Sequence, residues 1–449
     1  MTSTSTNCEG KPQRLLLIHR YFWPDSPPYA SMLRTIGDRL ADEGHRVTVL
    51  STQPSYKIEI ENERRPYRES LGQLDVRRVR LLPERSRATW IRGLNSLLFV
   101  WKIFWHLLVY GGRYDFVMCS TVPPVLTGTV TSLGCRLRGC KFLYHAMDIW
   151  PEVAQCTGQM RTGLVYRLLR TIDTWSCRAA SMVICLSDDM RRTYLKRDQR
   201  LDHKVCVIGN FELPSYDTDS DESVPAELKK EPGKFRVLFA GNLGRYQGLG
   251  AVVRAASLVQ NPRVEFALMG AGSEFENLHA QAKELGCLDK CVVFLPHQPV
   301  RIAKALMRDA DISLVTLSAG VSTVAYPSKT LTLLAMGCPL AVMTETDSDL
   351  SKMVRENELG FSVACDDSQG MAAAISRLAN DHDQMQSIRK NVVAHAKVHA
   401  VQEAVLPHWS RLIWSLSQSR DHAIISADAA KTGQPGFIAT VRSNQTDNL

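Results

Sequence analysis

A lysine opens the short apolar segment Lys329-Thr330-Leu331-Thr332-Leu333-Leu334-Ala335-Met336. Pro327 and Ser328 before it are helix-start residues, and Gly337 followed by Pro339 stops a helix, so the spacing predicts a helix over 330–336 leading into a strand at Leu340–Met343. A helix N-terminus presents unpaired N–H groups and partial positive charge, to which Lys329 adds a full charge. The chemistry such a place suits is the holding of an anion, above all a phosphate. The same letters also describe an ordinary turn with a surface lysine.

Two glycine-bearing strand ends offer related chemistry. Phe239-Ala240-Gly241-Asn242-Leu243-Gly244-Arg245, followed by Gln247 and Gly248, closes a strand with glycines that admit close backbone approach and an arginine able to grip phosphate with two N–H groups. Met269-Gly270-Ala271-Gly272-Ser273-Glu274 is a second such turn, in which Ser273 is equally an ordinary helix N-cap. Tight strand-to-helix turns and a solvated Arg245 are the alternatives. Pro296-His297-Gln298-Pro299 follows another apolar strand, and His297 is as readily a surface histidine. Earlier in the chain, Tyr144-His145-Ala146-Met147-Asp148-Ile149-Trp150-Pro151-Glu152 ends a strand. Asp148 there either orients an acceptor hydroxyl or caps the following helical turn. His145 is a secondary candidate, and strand alternation points it away from the side taken by Tyr144 and Ala146.

The elements that must position these residues are legible as alternating patterns. Apolar runs at Leu15–His19, Val47–Ser51, Val76–Leu82, Phe116–Ser120, Phe142–Ala146, Met182–Leu186 and Val205–Ile208 alternate with amphipathic stretches in the first half. Arg236–Ala240, Val264–Met269, Cys291–Leu295, Ile312–Thr316, Leu340–Met343 and Phe361–Ala364 do the same in the second. Such alternation predicts parallel sheets with helices on both faces. The stretch 213–233 holds Pro214, Pro225 and Pro232 with an acidic cluster, which is linker composition. The predicted organisation is a domain over 12–212, a linker over 213–233, a second domain over 234–400, a final helix over 401–420 and a disordered tail over 421–449. Each domain is doubly wound, and ligands of such sheets sit beyond the carboxyl ends of the strands.

Composition excludes some classes. A dinucleotide-dependent oxidoreductase needs glycines directly after strand one, whereas here Arg20-Tyr21-Phe22-Trp23-Pro24 follows and the first glycine is Gly37. Twelve cysteines stand without paired metal-binding spacing, several inside apolar strands, which predicts reduced thiols and a cytoplasmic location. The opening residues lack an apolar core of signal-peptide length. A net charge of +8 permits sugar nucleotides, lipid phosphates or an acidic membrane as partners, and nothing points to nucleic acid.

In their order along the chain these motifs, with Tyr21-Phe22-Trp23-Pro24, Gly44-His45-Arg46 and Asp148-Ile149-Trp150-Pro151-Glu152, resemble the family-4 glycosyltransferases, in particular the bacterial fucosamine- and colanic-acid-transferase branch that carries Pro-Ser-Lys at the donor helix. The likeness runs from Arg14 to Trp409. It implies an α/β GT-B fold, two doubly wound Rossmann-like domains facing a central cleft, with the last helix crossing back onto the first. It also implies retaining transfer of a sugar from a nucleotide diphosphate, with UDP expected, to a lipid-linked or saccharide acceptor in surface polysaccharide assembly. The implied donor contacts are Gly241, Asn242, Gly244, Arg245, Gln247, Gly270, Gly272, His297, Ser328, Lys329 and Thr332, with Asp148, Arg245 and Lys329 at the chemistry. Neither cofactor nor metal is implied. The family's two donor-site glutamates correspond here to Val324 and Thr332, neither acidic. That departure motivates one alternative, a non-catalytic GT-B scaffold that binds a nucleotide sugar; the enzymatic alternative within the fold is a sugar-nucleotide epimerase.

Trp90–Tyr110 is apolar nearly all round, carries three tryptophans, and follows a basic stretch that includes Arg85 and Arg87. It reads either as a crossover helix buried against the first sheet or as an interfacial helix giving peripheral contact with the inner face of a membrane. Its clean apolar run is shorter than the roughly 20 residues a span needs.

Overall fold

Long apolar runs that must bury both faces of a strand assemble here into parallel sheets. In the computed structural model, described for residues 11–25, 28–54, 65–82, 89–212, 223–418, 424–426 and 440–442, the chain divides into two units, each with its own sheet. The acidic part of the expected linker (213–222), Arg85, Arg87 and most of the expected tail lie outside the described residues.

The first unit runs β1 (Arg14–Ile18), α1 (Pro28–Asp42), β2 (Arg46–Thr52), β3 (Arg68–Leu71), β4 (Leu74–Val79), α2 (Thr89–Tyr110), β5 (Phe116–Ser120), α3 (Leu126–Arg138), β6 (Lys141–His145), the first residue of α4 (Glu152–Cys156, which from Val153 on belongs to the second unit), α5 (Leu164–Ala179), β7 (Met182–Cys185), α6 (Asp188–Arg197) and β8 (Val205–Val207). Its eight strands lie in the order β3-β4-β2-β1-β5-β6-β7-β8. All pair in parallel except the β3–β4 hairpin. Strand β3 has no counterpart among the predicted strands. Its residues, Arg-Glu-Ser-Leu, sit at the sheet edge in exposed or half-exposed positions, so no apolar periodicity marks them.

The second unit runs β9 (Phe235–Ala240), α7 (Leu249–Leu258), β10 (Val264–Met269), α8 (Phe275–Glu284), β11 (Val292–Leu295), α9 (Val300–Asp309), β12 (Ile312–Thr316), α10 (Lys329–Ala335), β13 (Leu340–Met343), α11 (Asp349–Glu356), β14 (Gly360–Val363), α12 (Ser368–Leu378) and α13 (His382–His399). Its strands are all parallel in the order β11-β10-β9-β12-β13-β14.

The last helix, α14 (Gln402–Gln418), belongs to the first unit from Val405 onward. Its Trp409 is 2% exposed and packs edge-on against His145, ring centroids 4.9 Å apart. Beyond it, β15 (Ile424–Ser426) and β16 (Thr440–Arg442) pair antiparallel.

Chain direction sets which helices share a face. Connections β4→β5, β5→β6 and β6→β7 all step the same way across the first sheet, while β1→β2 steps the other way. Right-handed crossovers therefore put α2, α3 and α5 on one face and α1 on the other. α14 joins α1 there, Ser410 Oγ donating to Glu43 at 2.6 Å.

Candidate functional site

In the second unit the chain steps outward in opposite directions from the adjacent pair β9 and β12. Loops leaving their carboxyl ends diverge, which opens a crevice at that point. The loop after β9 is tied to the one after β12: the Ser318 amide donates to Tyr246 O at 2.8 Å and the Ser318 hydroxyl to Arg245 O at 2.7 Å. Lys329 opens α10 and reaches the first of these loops, its Nζ donating to Gln247 Oε1 at 2.7 Å. The same ammonium stands 3.7 Å from the centroid of the Phe239 ring. Both partners are neutral, and no carboxylate pairs with Lys329 among the described residues. The residue keeps partial exposure, yet its surroundings are dense enough that burial pulls the ammonium down to about 7. A cation half out of water with no counter-ion is arranged to receive an anion.

The glycines let two backbone loops meet. Gly241 N donates to Met269 O at 3.0 Å and Leu243 N to Ala271 O at 3.0 Å, so the loops after β9 and β10 are zipped together. A Cβ on Gly270 would lie 1.9 Å from Gly241 O, and one on Gly272 2.2 Å from Leu243 O. Close approach of two backbones is what these positions require. Arg245 is exposed, with Nε 3.3 Å from Glu274 Oε1. Such a surface pair is worth about 0–1 kcal/mol, so Arg245 is readily released to another anion. Asn242 is exposed beside Gly272. Ser328 is exposed and its side chain makes no capping bond, and Thr332 is half-buried one turn into α10. His297 is exposed after the edge strand β11, two strand spacings of about 5 Å each from β9, and is not part of the Lys329 cluster.

Val324, which stands where the resembled family carries a glutamate, is 2% exposed. The acid near this loop is instead Glu345, at the carboxyl end of the neighbouring strand β13. Its carboxylate accepts from the Gly320 amide, and from Thr344 Oγ1 at 3.0 Å. Burial would push Glu345 up, but the Ser322 hydroxyl facing it, the Gly320 amide and Thr344 hold it below the usual carboxylate range. Sequence reasoning missed it. Its signal was the polar Thr344-Glu345 pair directly after an apolar strand.

In the first unit Asp148 lies beyond the carboxyl end of β6. It has no hydrogen-bond partner among the described residues, so it does not cap α4, and burial pushes its carboxyl up to about 6. Glu152, four residues on, is committed elsewhere. Arg197 donates through Nε to Glu152 Oε1 at 2.8 Å, and through its terminal nitrogens to Asp173 Oδ2 and Trp150 O, both at 2.6 Å. Tyr144 OH donates to the other Asp173 oxygen at 2.8 Å. His145 points to the opposite face, as alternation requires, where its Nδ1 meets Tyr29 OH at 2.9 Å. Burial drives it down to about 3, so it stays neutral and walled in by α1 and α14. Its place as a reacting group is corrected by that enclosure.

Among the described residues no group of three or more His, Cys, Asp or Glu is placed to hold a metal ion.

Comparison with known proteins divides the chain at the same place as the two sheets. Residues 29–210 match the glycosyl transferase 4-like domain and residues 234–381 the glycosyl transferases group 1 model. WbjE of Pseudomonas aeruginosa, an assigned glycosyltransferase, is 24% identical over 292 residues, 64% of this chain and 72% of its own length. WcaI of Escherichia coli strain K12, a glycosyl transferase assigned to colanic acid biosynthesis, is 23% identical over 323 residues, 70% of this chain and 79% of its own. Among solved structures, Alr3699/HepE of Anabaena in complex with UDP superposes with a TM-score of 0.64 at 17% identity, covering 90% of this chain and 100% of that one. The sucrose-phosphate synthase of Thermosynechococcus elongatus does so at 0.67 and 18% identity, covering 90% and 99%. These likenesses are likenesses of fold.

Proposed function

We propose that this chain, a glycosyltransferase of the GT-B fold, transfers a sugar from a UDP-sugar to a lipid-linked or saccharide acceptor in surface polysaccharide assembly, on the cytoplasmic side of a membrane. The observation that carries the donor half is Lys329, a cation held between Phe239 and Gln247 with no carboxylate beside it. The UDP complex of the Anabaena neighbour and the assignment of WcaI to colanic acid synthesis support the choice of nucleotide and pathway class. WcaI also supports the Pro-Ser-Lys branch, with Ser328 and Lys329 as its mark in this chain. The eleven cysteines of the described residues are all unpaired thiols, which suits a reducing compartment.

In this reading the donor diphosphate lies against Lys329 and Arg245, its oxygens taking further N–H groups from the Gly241–Gly244 loop. Ser328 and Thr332 offer hydroxyls, and the base extends toward the loop of His297. Asp148 orients the acceptor hydroxyl. The acceptor oxygen bonds to the anomeric carbon on the face from which the diphosphate leaves, and a diphosphate oxygen takes the acceptor's proton, so configuration is retained. Catalysis is positioning plus stabilisation of the charge that grows on the leaving group. Protein cations do this without a bound metal.

The test is thermal stabilisation by UDP, GDP and ADP, each with magnesium and with a chelator. A nucleotide at about 100 times its Kd adds about 2.7 kcal/mol. Stabilisation by UDP alone, indifferent to magnesium, is the expected result. Preference for another nucleotide overturns the donor assignment, and a strict magnesium requirement overturns the metal-free one.

A further inference from the structure

Helix α2 carries two apolar stripes where a soluble protein needs one. Phe99, Ile103 and Leu107 recur every four residues and are fully buried, and a Cβ on Gly134 of α3 would lie 2.8 Å from Leu107, so this stripe packs into the unit. Trp90, Leu94, Leu97, Trp101 and Trp105 follow steps of four, three, four and four residues along another side of the helix, and every one is exposed, Trp101 at 57%. By length and composition alone Trp90–Arg113 is apolar enough to cross a membrane. The burial of Phe99, Ile103 and Leu107 holds it against the protein instead.

The apolar surface continues onto neighbours. α3 lies between α2 and α5, with Thr129 Oγ1 and Ser176 Oγ 3.2 Å apart at the second contact. Leu137 of α3 is 57% exposed, and Leu164 and Leu168 of α5 are 84% and 60% exposed. These three helices share one face of the sheet, by the direction of their crossovers. An exposed apolar surface of this breadth marks an interaction site.

Charge identifies the partner. α2, α3 and α5 together contain one acidic residue, Asp173, which is buried against Arg197. Lys102, Arg136 and Arg167 on the same helices are exposed and have no acidic partner among the described residues. Tryptophans and leucines flanked by unpaired cations, with no exposed carboxylate, complement a surface that is apolar beneath and anionic on top.

We propose that the α2–α3–α5 face docks peripherally on an anionic phospholipid bilayer, with the Trp90–Trp105 stripe inserted at the headgroup boundary and Lys102, Arg136 and Arg167 against lipid phosphates. The inference goes beyond the donor reading and stands without it, since neither Lys329 nor Asp148 takes part.

The test is sedimentation of the full chain with vesicles, without nucleotide. Vesicles containing phosphatidylglycerol are expected to carry the protein down and pure phosphatidylcholine vesicles to do so at least tenfold less well, with binding weakened by salt. The double substitution Trp101→Ser, Trp105→Ser is expected to abolish binding, and Lys102→Glu with Arg136→Glu to weaken it at low salt. These side chains are exposed, so the variants are expected to keep wild-type thermal stability, which is the check on folding. Failure of the folded wild type to bind either vesicle overturns the proposal. So does binding that survives in the folded tryptophan variant, or a lipid-indifferent dimer that the same variant dissociates. UDP binding in solution is measured separately, and its failure leaves the vesicle result standing.

Discussion

The Lys329 ammonium lies 3.7 Å from the centroid of the Phe239 ring, inside the carboxyl end of the second sheet. A ring face attracts a cation and cannot neutralise it. Together with Gln247 Oε1 it holds the charge in position while leaving it electrically unpaired. That combination holds the ammonium in place without giving it a counter-ion.

Replacing Lys329 by Met keeps the aliphatic stem and removes the charge. A hydrogen bond to a charged group is worth about 1.5–3 kcal/mol, so UDP affinity should fall roughly 10- to 100-fold, and kcat by about 10²–10³ if the charge also serves the leaving group. Calorimetry and steady-state rates measure the two losses separately.

The same lysine predicts proton uptake on binding. In the free protein burial lowers its pKa from 10.5 to about 7, so above pH 7 much of it is neutral. A bound diphosphate favours the charged form, so binding at pH 8 should draw in a proton and affinity should decline as pH rises above 7. For folding the sign is fixed by the same shift: between about 7 and 10.5 the unfolded chain binds more protons, so this group makes stability rise with pH across that window. Calorimetry in buffers of different ionisation enthalpy reads the uptake, and Lys329→Met should abolish it.

Asp148→Asn tests a carboxyl raised by burial from 3.8 to about 6. A raised acid favours the folded state below its unfolded pKa, and this contribution is lost as pH rises through the folded value. At pH 8 the wild type therefore carries the cost of a buried charge, and the amide should be more stable by at most about 3 kcal/mol, at 1.4 kcal/mol per unit. Turnover should fall, and the wild-type rate should rise through pH 6. Equal stability at pH 8 would show that water reaches the carboxylate freely.

Gly270→Ala forces a Cβ to 1.9 Å from Gly241 O at a φ of +143°. Neither backbone can yield without breaking the ties between the two loops, so a loss of about 3 kcal/mol or more is expected, with donor affinity lost as well. Denaturant unfolding measures it. Gly286→Ala is the comparison: its φ is +65° but nothing lies within 4 Å of the added carbon. It should cost only about 1–2 kcal/mol.

Arg197→Met strands Asp173, a carboxylate at a buried centre of the first unit, and leaves Glu152 only Arg170, whose Nε is 3.3 Å away. Removing one member of a buried pair costs about 3–5 kcal/mol. Burial already raises the Asp173 carboxyl, and protonation relieves it once the guanidinium is gone, so the variant should recover relative to wild type as pH falls. An undiminished midpoint of unfolding at pH 7 would mean the triad contributes nothing.

Both sheets, their thirteen apolar strands and the helix that Lys329 opens are written in the chain, because a strand buried on both faces must be a continuous apolar run and a helix is bounded by start and stop residues. Strand β3 escapes that logic: it is short, polar and at an edge, and only its hairpin with β4 defines it. Lys329's partners are equally invisible along the chain, since Phe239 and Gln247 are 90 and 82 residues away. Glu345 reaches the Gly320 amide from the neighbouring strand, a contact that residue spacing around the donor helix cannot show. His145 and Asp148 stand three residues apart in one motif and meet opposite fates, one sealed beneath Trp409 and one left unpartnered. Local pattern determines which segments become strands and helices, because burial of a face imposes a period. Which side chains meet, and whether a charge keeps its proton, was decided only when distant segments came together and excluded water.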